Sequence, residues 1–166
     1  IHRIEVPVPL EVITRKELLE YRITTMKKNK LYEEAKPFWE KLLSLSSTFP
    51  PHNLVHGDLH LQNLVIKGNS VHLIDLESAH YSVAEWDWAT LWLALTLEKF
   101  PVSYLKRVEA EVTNDTLFKA ALYTKLAMML TWSVANNDAA GVRHRLDTAK
   151  SLLKNSFVFP ISDEHL

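Results

Sequence analysis

The stretch His56-Gly57-Asp58-Leu59-His60-Leu61-Gln62-Asn63 decides how this chain is read, together with the residues from Leu64 to Glu77. Leu64-Val65-Ile66 is a short apolar run, Lys67-Gly68-Asn69-Ser70 is turn chemistry, and Val71-His72-Leu73-Ile74 returns before Asp75-Leu76-Glu77. Two apolar runs around a polar, glycine-containing turn predict a β-hairpin. Asp58 and Asn63 are five residues apart, and the hairpin folds Asp75, twelve residues further on, back beside Asn63.

Those residue types in that order suit phosphoryl transfer. The transferred group needs little covalent help, but its charge must be neutralised and the attacking hydroxyl aimed and deprotonated. A carboxylate on a fixed loop, Asp58, can take that proton, a role typically worth about 10²–10⁴-fold in rate. The Asn63 carboxamide and the Asp75 carboxylate offer hard oxygen ligands of the kind Mg²⁺ prefers.

Away from this segment the chain reads as helical. Residues 1–13 look extended, because Pro7 and Pro9 block a helix. Thr14 followed by Glu17 has the spacing of a capping box, so a helix is expected from there towards Lys28. A second is expected to open near Pro37, carry Phe38, Leu42 and Leu45 inward, and end at Pro50-Pro51. Trp88, Leu91, Trp92 and Leu95 fall at helical spacing. A long helix is expected from about Asp115 to Val134, stopped by Asn136 to Gly141, and a last one through Leu146, Ala149 and Leu153. The fold class is mainly α (α+β), a helical bundle around one hairpin.

Composition narrows the function classes. The 166 residues suffice for one domain with a core, with 47% hydrophobic and 23% charged residues. A net charge of −1 gives no electrostatic case for nucleic acid or an acidic membrane surface. The absence of cysteine excludes disulfides and thiolate metal sites and is compatible with a cytoplasmic protein. Lys119 and Lys125 interrupt the most apolar stretch, Leu117 to Ala135, and argue against a membrane span. The chain begins at Ile1 and not at Met, so it is expected to be a piece of a longer protein.

The chain resembles the aminoglycoside phosphotransferase and choline kinase family, which shares the protein-kinase-like fold. Val55 to Asn63, VHGDLHLQN, looks like that family's catalytic loop; Leu73 to Ser78, LIDLES, looks like its metal-binding segment; Glu85 to Trp92, EWDWATLW, is similar to the helix start that buttresses the loop. The resemblance implies Asp58 as catalytic base, Asn63 and Asp75 as Mg²⁺ ligands, and His56 and Asp87 as supports of the loop. It implies ATP and Mg²⁺ as co-reactants and a small-molecule alcohol as acceptor. His60, Glu77 and Trp86 are candidates for contact with that acceptor. The family's ATP-covering loop and phosphate-binding lysine belong to an N-terminal lobe with no counterpart here. Residues 1–166 are therefore expected to be the C-terminal lobe, inactive without its partner lobe.

Two other readings stay open. His56, Asp58 and His60 alternate, so on an extended segment they share a face and could bind Zn²⁺ for hydrolysis. The chain could also be a kinase-like module that binds without turnover. Trp88 and Trp92, four apart on one helix, are expected in the core, and Lys27-Lys28-Lys30 on a solvated helix end.

Overall fold

Helix α5, Asp115–Ala135, is the axis on which the domain is built. It is apolar nearly all round, the pattern of a helix enclosed by others. Phe118, Leu122, Leu126 and Leu130 are buried on it, and so are Ala120, Ala121 and Ala127, whose small side chains let neighbours approach closely. Two buried hydroxyls are satisfied within the helix: Thr124 donates to Ala120 O at 2.6 Å and Thr131 to Ala127 O at 2.9 Å. Asn114 caps the first turn by accepting the Leu117 N–H at 3.1 Å.

In the computed structural model residues 15–28, 31–45 and 53–154 are described. The order is α1 (Arg15–Lys27), α2 (Tyr32–Ser44), β1 (Asn53–Val55), β2 (Leu64–Lys67), β3 (Ser70–Leu73), β4 (His80–Ser82), α3 (Glu85–Leu97), α4 (Val102–Ala110), α5, and α6 (Ala139–Lys154). Helices α1, α3 and α6 pack on α5, while α4 packs on α3 and α2 on α6. One core runs through them, with Trp39, Trp92, Phe38 and Phe118 among its largest fully buried side chains. No helix among the described residues is long and apolar enough to cross a membrane.

The hairpin falls where the turn chemistry puts it. β2 and β3 are antiparallel, with Leu64 opposite Leu73 and Lys67 opposite Ser70. Gly68 takes φ 60° at the first position of the two-residue turn, the left-handed value that a II′ turn needs. A second antiparallel pair, β1 with β4, matches Val55 to His80 and closes the loop between them.

Four features differ from the sequence expectation. Helix α2 opens at Tyr32, and Pro37 lies inside it. The apolar series Leu31, Ala35, Phe38, Trp39, Leu42 runs through Pro37, and its burial outweighs one lost N–H. Gly141 lies in the first turn of α6 and not in the break, because Asp138 accepts its N–H at 2.9 Å and starts the helix there. On α6 it is Leu152, not Leu153, that joins the core. Helix α4 had no expectation at all. The extended reading of 1–13, the Thr14 cap and the stop at Pro50-Pro51 lie outside the described residues.

Candidate active site

The loop after β1 is held in place by its backbone. Oδ2 of Asp87, at the start of α3, accepts the His56 N–H at 2.8 Å, and Oδ1 accepts the Gly57 N–H at 2.9 Å. A carboxylate bridging two successive N–H groups makes charge-assisted bonds, roughly twice as strong as neutral ones. The Gly57 carbonyl is held in turn by the Trp86 indole N–H at 3.2 Å and by Lys125 Nζ at 2.9 Å. Gly57 itself sits at φ 81°, and a Cβ there would overlap the Ser78 carbonyl oxygen, so only glycine fits.

His56 joins the loop to the hairpin. Its Nδ1 accepts the Asp58 N–H at 3.3 Å, and its Nε2 lies 2.8 Å from the Ile74 carbonyl oxygen. The Nε2–H tautomer serves both contacts, and both ring nitrogens are then spent. The zinc arrangement therefore does not assemble. Among the described residues no three His, Asp or Glu side chains form a metal-holding group.

Asn63 is buried in a single 3₁₀ turn, with Nδ2 donating to the Asp58 carbonyl oxygen at 3.0 Å. The Ile74 N–H donates to the Asn63 carbonyl oxygen at 3.0 Å, which locks the far end of the hairpin to the loop. Asp75 is the next residue. It is exposed and adopts a left-handed conformation, φ 61° and ψ 69°, which is uncommon outside glycine and concentrates at functional positions. Neither Asn63 Oδ1 nor the Asp75 carboxylate accepts a hydrogen bond from a described residue. Two hard oxygen donors are thus left unspent on adjoining backbone.

Asp58 faces a cleft of about 730 Å³ lined by α1, α3, α5, α6 and the 58–62 loop. Its Oδ1 lies 2.9 Å from Lys125 Nζ on α5, and its Oδ2 lies 3.4 Å from His60 Nε2. Burial opposes the charged carboxylate, but the hydrogen bond and charge of Lys125, helped by His60, outweigh it and hold the group below the ordinary aspartate value. His60 lines the same cleft.

Two acceptor-contact candidates stand elsewhere. Trp86 is buried beneath the loop, where its indole braces Gly57, and it presents no face to the cleft. Glu77 is exposed on the turn after Asp75 and is not among the residues that line the cleft. The sequence reading missed Lys125 as a site residue, noting it only as a charge in an apolar helix. That was the available signal: a lone cation on a helix otherwise buried calls for a carboxylate partner.

A family model described as the phosphotransferase enzyme family matches residues 1–130. The chain belongs to this family. Its fold is the protein-kinase-like one. Two crystal structures of a thermostable mutant of the aminoglycoside phosphotransferase APH(4)-Ia, one apo and one a ternary complex with AMP-PNP and hygromycin B, align at TM-score 0.64 and 12% identity over 84% of this phosphotransferase-family chain. A protein from Thermobifida fusca YX-ER1, provisionally assigned as a fructosamine-3-kinase, aligns at TM-score 0.53 and 24% identity over 83% of it. The chain spans about half the length of these structures, 47–52% of each. At these identities the likeness shows the fold alone. No curated protein sequence matches the chain.

Proposed function

We propose that this chain is the acceptor-binding and metal-binding lobe of an ATP-dependent phosphotransferase acting on a small-molecule hydroxyl. The observation that carries the proposal is the Asp58 carboxylate held at 2.9 Å by Lys125 on the wall of a large cleft, one loop away from the unspent oxygens of Asn63 and Asp75.

Each residue has a role consistent with its position. Asp58 accepts the proton of the acceptor hydroxyl as the new oxygen–phosphorus bond forms and the bond to the ADP oxygen breaks. Lys125 and the Asp87-braced backbone keep that carboxylate aimed. His56 fixes the hairpin to the loop, and with it the spacing of Asn63 and Asp75. His60 stands where it can hydrogen-bond the acceptor. A Mg²⁺ held by Asn63 and Asp75 would neutralise phosphate charge.

The hairpin supports the two-lobe reading. Ile66 is 76% exposed and Val71 63%; they pair across the hairpin and share one of its faces with Leu73, which is also exposed. Exposed apolar side chains gathered on one hairpin face are what a covering partner would bury. We assign this face to the nucleotide and its clamping lobe. The chain alone would then bind ATP weakly and turn over negligibly, since effective molarities of about 10⁵–10⁸ M depend on holding both reactants.

Mn²⁺ as a paramagnetic probe tests the metal assignment on the chain itself. The amide signals of residues 63 and 74–76 should broaden selectively, and Asp75→Ala should remove the effect. Broadening centred elsewhere, or unchanged in that variant, would sink the assignment.

A further inference from the structure

One stripe of α5 is left partly uncovered by the helices packed around it. From Ala120 to Ser133 every residue is buried except Lys125, Met128, Met129 and Trp132. Spacings of three, four and seven residues place these four side chains on one face of the helix. All four line the cleft beside Asp58, together with Ala94 and Leu97 of α3. The stripe starts at the site, where Lys125 meets Asp58 at 2.9 Å, and ends at Trp132, 57% exposed. Seven residues separate the two ends, on the order of 10 Å along a helix that rises about 1.5 Å per residue. A helix face left to water ordinarily carries polar and charged residues. Here two methionines and a tryptophan stand in their place.

Charge in this cleft singles out neither an anionic nor a cationic acceptor. Three cations, Arg22, Lys125 and Arg145, stand against Asp58, Glu98 and Asp138. Lys125 pairs with Asp58, Arg145 lies 3.5 Å from Asp138 Oδ2, and Arg22 donates to Thr131 Oγ1 at 3.0 Å. Apolar contact is what remains to select a ligand along the stripe.

We propose that the acceptor is an uncharged alcohol with a flat, apolar body, which lies along Met128, Met129 and Trp132 while its hydroxyl meets Asp58. The cleft, about 730 Å³, has the size of a small-molecule site, and such sites are mostly apolar with a few polar groups that orient the ligand. Trp132 offers a ring for offset stacking, and methionine side chains adapt to irregular apolar shapes. A polyol would lose water from its hydroxyls against side chains that give little hydrogen bonding in return. This choice of acceptor class rests on the phosphotransferase reading given above.

Three neutral alcohols test it: 2-(2-naphthyl)ethanol, 2-cyclohexylethanol and sorbitol, titrated calorimetrically into the chain. The naphthyl probe should bind tightest, by at least about tenfold over sorbitol, the scale of one buried aromatic ring. Trp132→Ala should remove most of that preference. Met129→Gln should lower it as well, and carries the test if Trp132→Ala fails to fold. Acrylamide should quench Trp132 in the free chain, read as the difference between the parent and Trp132→Phe, and 2-cyclohexylethanol should shield it. Sorbitol binding as tightly as the naphthyl probe, a preference insensitive to Trp132→Ala, or no binding by any probe would overturn the proposal. So would a Trp132 already shielded in the free chain, because the stripe would then be covered by the chain itself or by a second copy. Phosphotransfer to sorbitol in preference to the naphthyl probe, lost in Asp58→Ala, would overturn it too and leave the phosphotransferase reading standing. Apolar preference in a protein that never transfers phosphate would sink that reading and leave the apolar site standing.

Discussion

Lys125 Nζ lies 2.9 Å from Asp58 Oδ1, joining the middle of α5 to the loop after β1 across 67 residues of sequence. The same ammonium group donates to the Gly57 carbonyl oxygen at 2.9 Å, so it fixes both the backbone and the carboxylate of one loop. In the two-lobed phosphotransferase proposed above, Lys125→Met should lower kcat by about 10²-fold, the scale of a misplaced catalytic group. The fold should survive, because Asp87 and Trp86 still hold Gly57. Circular dichroism melts beside the kinetics check this. A loss of kcat no larger than the loss of folded protein would reduce Lys125 to a structural pair.

Asp87 is the residue whose removal should cost most stability for least chemistry. Asp87→Ala leaves the His56 and Gly57 N–H groups without their carboxylate, and hydrogen bonds to charged groups are worth about 1.5–3 kcal/mol. Urea denaturation should show a loss of roughly that size, with Asp87→Asn intermediate. A change below about 0.5 kcal/mol, the range of an ordinary surface substitution, would mean the loop is held by other contacts.

Asp75 sits at φ 61°, where glycine is at ease and other residues are strained. Asp75→Gly should therefore leave stability unchanged or raise it by up to about 1 kcal/mol. Mg²⁺-dependent turnover in the two-lobe protein should fall by at least about 10²-fold. Stability and activity moving in opposite directions is the signature of strain kept for function. A variant both less stable and still active would contradict it.

Glu34 gives the pH dependence. Its Oε1 accepts from Lys150 at 2.7 Å and Arg143 at 2.9 Å, tying α2 to α6. The Lys150 hydrogen bond leads; burial works against it, and the charges of Lys150 and Arg143 add to it, leaving the carboxyl below its ordinary 4.5. A folded value below the unfolded one stabilises the fold above pH 4.5, and that contribution disappears as pH falls through the folded value. The stability gap between the parent chain and Glu34→Gln should be open at pH 7 and close below 4.5. Denaturation midpoints of both proteins at several pH values check this. A gap that widens on acidification would reverse the sign.

Local chemistry was legible in the sequence, and partners distant along the chain were not. The hairpin could be read because Lys67-Gly68-Asn69-Ser70 is a local turn signal between apolar runs. The α5 boundaries could be read because its apolar pattern lasts five turns, ending at Ala135 against an expected Val134. Helix α4 escaped because Val102–Ala110 buries only Leu105 and Val108, too short a series to show a period. Pro37 signals a helix start locally, whereas the packing of Ala35 and Leu31 that carries α2 back to Tyr32 is tertiary. In the site, the residue types at Asp58, Asn63 and Asp75 marked the loop, and an acidic residue opening α3 marked Asp87. Lys125 was visible only as a charge without a partner, since nothing local names Asp58. Trp86 could have packed either towards a ligand or beneath the loop, and only the bond to Gly57 decides.

The most direct measurement is Mg²⁺-dependent ADP release by the protein carrying both lobes, with a hydroxyl acceptor, before and after Asp58→Ala. The account predicts acceptor-dependent release that falls by about 10²–10⁴-fold in the variant, the range for a lost general base, with the melting temperature little changed. Full activity in Asp58→Ala, or no release with either protein, would contradict it.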